Sequence, residues 1–545
     1  MSNDGARNIR SSLKRSLSGA VSAVALLYSP SAFASSCEDL TGIKLPDTTI
    51  ETAQSVPAGA YTTSDKVVRK GMPAFCRVLA SVKSAPDSDI RIEMWLPKEG
   101  WTGVFHGNGN GGYGGVLAYD YGAMEAGLKR GYATAITDMG TAPATPLDGD
   151  ALAGHPRKWK DWGILSTHVM AVAGKGIAKA FYGEQPKRSY YTGCSTGGQQ
   201  GIVEAQYYPE DFDGVLVGDP VVNRTWGHAA VVWDYLAANA KPGHKLSEAK
   251  LALLTKSAVA ACGAKGNGLK SDPFIADPTA CKFDPSALAC HGSPSDACLT
   301  PGEVETARAF YSGPTDSAGK ALFYGWLPGS ESGAFNWGFL EAPANAPGEP
   351  AFDSLFKWVF GAGWNWRDFN FQRDMPKVDA ALGPSVNGAM SGDLSKFRDR
   401  GGKMIIYQGW ADPIVPPLQT IAFYKAISAK VGGDQSAQEF ARLFMVPGFG
   451  HCFGGTGPNR FDSAAFGGLG PPSTDAGHDA FTALTHWVED RAAPAQIVAT
   501  KFVGDDPAKG IAMQRPLCPY PSKAWYKGEG DTNDAGSFTC SATKP

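Results

Sequence analysis

The sequence carries no charge excess of the kind that marks a polyanion binder. Its 50 Lys and Arg stand against 53 Asp and Glu, a formal net charge of −3 over 545 residues. Nucleic acid and anionic membrane surfaces are therefore not expected partners. No Cys-x-x-Cys pair occurs and the histidines are scattered, which argues against a zinc site. There is no internal repeat and no low-complexity tract. Beyond the N-terminal segment, no apolar run reaches the roughly 18–20 residues that span a bilayer. Glycine and proline are plentiful (67 and 38) but aperiodic, which excludes collagen. With 11% aromatic residues and 14 Trp, the chain is not compositionally disordered. At roughly 150 residues per domain, its length allows about two to four domains.

The N-terminal segment reads as an export signal. Arg7, Arg10, Lys14 and Arg15 form a positive region, Leu17 to Leu27 is a short, mostly apolar stretch, and Ala32-Phe33-Ala34 fits small-x-small cleavage. Residues 1–34 are expected to be removed, leaving a periplasmic or secreted protein. An uncleaved anchor is the alternative, against which the short apolar run argues. The ten cysteines, an even number in an exported chain, read as disulfides.

Further along, Ile90, Ile92, Met94 and Leu96 alternate with polar residues, predicting a strand with one buried face. A strand at 103–106 leads into the glycine-rich stretch 107–112, and Val116 to Arg130 reads as an amphipathic helix. Strands at 132–137, 189–192 and 215–217 alternate with helices at 164–182 and from about Ser195. This rhythm predicts an α/β fold with a mostly parallel sheet covered on both faces. It stops after Asn223. Residues 224–394, rich in Gly, Pro, Ala and Trp, are expected to form an inserted, loop-rich lid. The rhythm resumes with a strand at 403–408, a helix at 418–431, a strand at 441–446 and a helix at 478–490. The tail from about Lys501 reads as irregular. The core is thus expected over 35–223 and 395–545.

Gly193-Cys194-Ser195-Thr196-Gly197 is a G-x-S-x-G between a predicted strand and a predicted helix. Flanking glycines allow the tight turn that presents a serine at the carboxyl end of a sheet, beside the free N–H groups of a helix start. An ordinary capping serine is the plainer alternative. A serine nucleophile needs a base oriented by a third group. Where such an elbow occurs, the chain order is Ser, acid, His. His451 lies in a glycine-rich loop after a late strand, and Asp412 is the acid in the loop after the strand at 403–408. Asp412 could instead be a turn-forming residue before Pro413. His168, His478 and His486 fall on predicted helices and read as packing or surface residues, whereas His106 could line a pocket. The oxyanion hole is expected from the N–H of Thr196 and of Gly111 or Gly112. The glycine stretch lacks Gly-Lys-Ser/Thr and a G-x-G-x-x-G with its acidic partner, so it is not a nucleotide cradle. Cys194 precedes the candidate nucleophile and Cys452 follows the candidate base. If Ser195 and His451 meet, these cysteines are brought close enough for a disulfide.

With Gly109-Asn110-Gly111-Gly112-Tyr113, Gly218-Asp219-Pro220, Cys281-Lys282-Phe283-Asp284-Pro285, Asp412-Pro413-Ile414-Val415-Pro416-Pro417, Gly450-His451-Cys452 and Arg515-Pro516-Leu517-Cys518-Pro519-Tyr520-Pro521, the elbow resembles the tannase and feruloyl esterase family of serine esterases. The resemblance implies an α/β-hydrolase core with an inserted lid. It implies the pairs Cys37–Cys76, Cys194–Cys452, Cys262–Cys281, Cys290–Cys298 and Cys518–Cys540. It also implies a calcium loop after Cys262, but here Gly263 and Asn267 stand where aspartates are usual and Asp272 is the remaining matching carboxylate. Calcium wants six to eight oxygens, so a structural calcium stays open and no cofactor is expected for the chemistry.

The expected substrate is a small ester of an aromatic acid, of feruloyl, galloyl or terephthaloyl type. The insertion holds Trp326, Phe335, Trp337, Phe339, Trp358, Trp364, Trp366 and Arg367. Trp326, Trp337 and Trp364 are taken as candidate walls for a flat acyl group, and Arg367 as a candidate partner for a carboxylate. The same aromatics could form the insertion's own core. A non-catalytic binding protein, a peptidase and an acyltransferase on this fold are the alternatives.

Overall fold

The computed structural model describes residues 36–545 except 334, 344–347, 389 and 467–469. The expected signal segment lies outside the described residues. Fifteen strands are described: β1 Thr48–Val56, β2 Gly59–Thr62, β3 Val68–Met72, β4 Phe75–Val82, β5 Ile90–Pro97, β6 Val104–Asn108, β7 Ala133–Thr137, β8 Arg188–Cys194, β9 Gly214–Gly218, β10 Lys403–Gly409, β11 Ala441–Val446, β12 Ile497–Phe502, β13 Ile511–Leu517, β14 Lys523–Tyr526 and β15 Phe538–Ser541. The α-helices are α1 Tyr121–Lys129, α2 Pro156–Lys160, α3 Ser166–Tyr182, α4 Thr196–Tyr207, α5 Arg224–Asn239, α6 Glu248–Cys262, α7 Pro301–Ser312, α8 Trp337–Glu341, α9 Ser354–Phe360, α10 Phe371–Val386, α11 Ser395–Asp399, α12 Pro417–Val431, α13 Asp434–Gln438 and α14 Ala480–Glu489.

Nine strands form one sheet in the order β1-β4-β5-β7-β6-β8-β9-β10-β11. β1, β4, β5 and β7 pair antiparallel. From β7 through β6, β8, β9 and β10 to β11 every pair is parallel. The parallel strands are largely buried on both faces, under two helical layers. One layer packs α3, α4 and α12 on a cluster that includes Phe105, Met170, Ile177, Tyr191, Ile202, Val217, Ile406 and Tyr424. The other packs α14 on a cluster with Tyr190, Leu216, Ile405, Phe444, Phe481, Leu484 and Trp487. The carboxyl ends of β8, β9, β10 and β11 therefore open on one edge, where Ser195, Asp219, Asp412 and His451 follow.

Two local expectations need correction. β5 is buried on both faces, not one, because it lies inside the sheet. Its Glu93 is buried but ion-paired to Arg77 (2.6 Å) and accepts hydrogen bonds from Trp95 and Tyr121. The stretch 224–394 is loop-rich as expected, less than half of it helical. It folds as α5 to α10 with no β-strand among its described residues. These helices close over two aromatic-rich clusters, one around Trp162, Leu355, Phe356 and Met375, the other around Leu251, Phe310, Trp326 and Trp337. The C-terminal tail is not irregular. β12 pairs with β13 and β14 with β15, both antiparallel, and Tyr520 N–H donates to Leu443 O (2.7 Å) beside β11. Short ladders of this kind leave weak periodicity in a sequence.

The described cysteines pair as Cys37–Cys76, Cys194–Cys452, Cys262–Cys281, Cys290–Cys298 and Cys518–Cys540. No helix among the described residues is long and apolar enough to cross a membrane.

Candidate active site

Ser195 stands between β8 and α4 with φ 62° and ψ −119°, a backbone region that L residues rarely occupy. A strained serine between a strand and a helix has the backbone form of a nucleophile elbow. Its N–H donates to Gly218 O (3.0 Å), which fixes the elbow to the end of β9. Neighbouring glycines admit the glycine-rich loop: a Cβ on Gly109 would lie 2.6 Å from Gly197 Cα. The loop is bonded to the helix start. Gly197 N–H donates to Asn110 O (2.7 Å), Asn110 N–H to Gln200 Oε1 (2.9 Å) and the Thr196 hydroxyl to Gly112 O (2.9 Å). Gly112, at φ +53°, also accepts from Trp162 Nε1 (3.0 Å). Among the described residues, no hydrogen bond from the N–H of Thr196, Gly111 or Gly112 is seen.

Asp412 is fully buried after β10. One carboxylate oxygen accepts from the N–H of Ile414 (2.7 Å) and Val415 (2.9 Å), and the other from His451 Nδ1 (2.8 Å) and Gln408 Nε2 (3.2 Å). It thus makes the turn before Pro413 and meets the histidine as well. Since a carboxylate only accepts, Nδ1 of His451 carries the proton and Nε2 is left as an acceptor. Burial opposes charge on His451, but Asp412, and then Asp219, outweigh it, and its pKa is raised. The Cys194–Cys452 bond, with 5.9 Å between Cα atoms, joins the residue before Ser195 to the residue after His451 across 258 positions.

The insertion reaches this edge through phenylalanines. The Phe335 ring lies 6.3 Å from that of His451, 5.6 Å from Phe339 and 5.4 Å from Phe453. Phe453 stacks on Phe466 (5.9 Å), which meets Tyr119 (5.2 Å). Ile414, in the Asp412 loop, packs on the insertion's cluster. Phe335 is 40% exposed and free to meet a ligand.

The side chains taken as candidate walls sit elsewhere. Trp326 is buried in the insertion and donates to Asp234 Oδ2 (2.7 Å). Trp337 is buried against Phe310 and Tyr311. Trp364 stacks on Phe356 (5.1 Å), and Arg367 lies on the surface, 4.1 Å over the Trp366 ring. A strandless insertion must fill its own core, and it uses the largest apolar side chains for that. His106 lines no pocket: it is buried in the sheet, bonded to Thr192 Oγ1 (2.9 Å) and stacked on Phe481, and burial pushes its pKa down to about 3. His168 pairs with Asp211, and His478, which precedes α14 rather than lying on it, with Asp475. His486 pairs with Asp490.

The calcium expectation meets a different donor set. Asp272 is ion-paired with Arg515 (2.7 Å), Asp277 is bonded to Lys523, and the Asn267 amide donates to Ala524 O (3.0 Å). Two cations occupy the carboxylates that a calcium ion would need, and Gly263 offers no side chain. These residues do not fit the ion.

Asp219 was quoted in the sequence only as part of Gly218-Asp219-Pro220. It is fully buried, and its carboxylate lies within 4.8 Å of the Asp412 and His451 ligand atoms. No sequence pattern marks it, because its neighbours come from β10 and from the His451 loop.

The family model for "Tannase and feruloyl esterase" matches residues 76–541. An uncharacterised esterase of Xanthomonas campestris is 37% identical, over 95% of this chain and 93% of its own. The mono(2-hydroxyethyl) terephthalate hydrolase of Piscinibacter sakaiensis is 31% identical, over 86% of this chain and 85% of its own. The crystal structure of feruloyl esterase B from Aspergillus oryzae superposes with a TM-score of 0.82 at 26% identity, over 93% of this chain and 99% of that one. An α/β-hydrolase sheet with a strained serine at the end of β8, matched over nearly its whole described length, makes this chain a carboxylic ester hydrolase of the tannase and feruloyl esterase family.

Proposed function

We propose that the chain is exported and hydrolyses esters of aromatic acids through Ser195, His451 and Asp412. The observation that carries this is the His451 Nδ1–Asp412 contact (2.8 Å), which leaves Nε2 as the acceptor, beside a disulfide that ties the residue after His451 to the residue before Ser195. In the acylation step, Nε2 takes the Ser195 proton as Oγ attacks the ester carbonyl. The N–H groups of Thr196 and of Gly111 or Gly112 receive the oxyanion. The imidazolium then gives its proton to the leaving alkoxide, and water repeats the sequence on the acyl-enzyme. The insertion acts as the lid, with Phe335, Phe339 and Phe453 forming apolar walls beside His451 that suit a flat acyl group. Trp326, Trp337, Trp364 and Arg367 are given no part in this.

The test is a panel of methyl ferulate, methyl gallate and mono(2-hydroxyethyl) terephthalate with the purified protein. Hydrolysis of at least one, well above that of an aliphatic methyl ester, is expected. Equal rates on aliphatic and aromatic acyl groups would refute the aromatic preference. A base must be neutral to act, so kcat/KM falls as pH drops through the raised pKa of His451.

A further inference from the structure

The end of β9 touches every loop of the proposed relay. Gly218 O accepts the N–H of Ser195 (3.0 Å). The next residue, Asp219, accepts Gly409 N–H on Oδ1 (2.8 Å), at the end of β10 just before the Asp412 loop. On Oδ2 it accepts Cys452 N–H (2.7 Å), immediately after His451. Its own N–H donates to Tyr407 O (2.9 Å). A non-glycine residue at φ +39° is strained, and this one is buried with no Lys or Arg paired to it among the described residues. Such an arrangement costs stability and persists where the surroundings impose it.

Three titratable groups face the Asp219 carboxyl: Asp412 from the loop after β10, His451 from the loop after β11, and the Tyr407 hydroxyl from β10 itself. Cys194 and Cys452 are disulfide-bonded and do not titrate. Burial, and then Asp412, push the Asp219 carboxyl up to about 8, against His451 and the two backbone N–H donors, which favour the anion. Two carboxyl groups flank one imidazole. A positive ring favours the anionic form of Asp219, and an anionic Asp219 favours a positive ring.

We propose that Asp219 is a positioning residue for His451, clamping the Asp412 and His451 loops to each other and biasing the ring toward the imidazolium formed when Ser195 gives up its proton. The proton relay does not run through Asp219. The proton passes from Ser195 Oγ to His451 Nε2 and on to the leaving alkoxide. This inference rests on the relay proposed above. It adds a second acid that acts through geometry and charge.

The test compares Asp219→Asn, Asp219→Glu and Ser195→Ala with the wild-type chain on a p-nitrophenyl ester. Folding is checked by Tm, and the Cys194–Cys452 bond by thiol labelling and mass. Asp219→Asn is expected to lower kcat on the order of 10- to 100-fold, less than a full general base contributes, with little change in KM. Its acid limb should move to lower pH, because a carboxylate that raises the pKa of His451 is gone. A purely structural acceptor would leave that limb in place. A folded Asp219→Asn with an unmoved limb, or with kcat within about twofold of wild type, overturns the proposal. If the amide variant does not fold, Asp219→Glu decides, since it keeps the charge and displaces it. A lowered kcat with the limb in place supports the proposal, and full activity overturns it. Turnover surviving in Ser195→Ala would instead sink the relay itself, whatever Asp219 does.

Discussion

The parallel half of the sheet and the helical insertion solve opposite problems. At the sheet edge, polar groups are placed by backbone. Ser195, Asp219, Asp412 and His451 each follow a strand, and backbone N–H or C=O groups bond to the first three. In the insertion, position is set by bulk: Phe310, Trp326, Trp337, Phe356 and Trp366 fill clusters with no strand to organise them. Chemistry needs fixed angles, which a ladder supplies. A wall needs surface and shape, which packed rings supply. Substitutions at the edge should therefore change turnover with the fold intact, and substitutions inside the insertion should change stability first.

The sharpest version of this contrast is Ser195→Ala. We expect kcat to fall by at least about 10⁴-fold with Tm unchanged, measured by steady-state kinetics beside calorimetry. Next, replacing both Cys194 and Cys452 by Ser removes a cross-link over 258 positions, with an expected cost of about 5.5 kcal/mol in the chain-entropy view. Both Tm and kcat should fall, because this bond serves position and stability together. Loss of Tm alone would separate the two roles. Inside the insertion, Trp337→Ala should destabilise by about 3–4 kcal/mol. Phe335→Ala, at an exposed ring beside His451, should leave Tm in place and lower kcat/KM on aromatic esters by a few-fold, on the order of 1 kcal/mol. The reverse pattern in that pair would break the comparison. The smallest expected effect is that of a chelator. Because Arg515 and Lys523 already partner Asp272 and Asp277, EDTA should leave Tm unchanged, and a clear drop would restore the calcium reading.

Much of this edge was legible because strand-to-helix junctions are local. A G-x-S-x-G after Tyr190-Tyr191-Thr192 and a glycine-rich His451 loop after an apolar run place their side chains at strand ends before any contact is known. Order along the chain singled out Asp412 over other acids. The candidate walls of the insertion resist such a reading for the same reason in reverse. Without a sheet to pack on, α5 to α10 arrange their apolar faces around each other, so large aromatics spread over 224–394 gave no periodic signal. Phe335 could not be told from Trp337 by sequence, since exposure of the one and burial of the other depend on helices far apart in the chain. The tail hairpins β12–β13 and β14–β15 were missed because each short ladder is specified by its partner and only weakly by itself.

By itself, the sequence determined the alternation that builds a parallel sheet, the elbow at Ser195 and the candidacy of Asp412 and His451, because each depends on a few neighbouring residues. Only the tertiary structure decided that Asp219 reaches Gly409 and Cys452, that Asp272 and Asp277 are taken by Arg515 and Lys523, and that Phe335 rather than Trp337 lies beside the histidine. Those facts join segments hundreds of residues apart, and a contact between distant segments is fixed by the packing of everything between them.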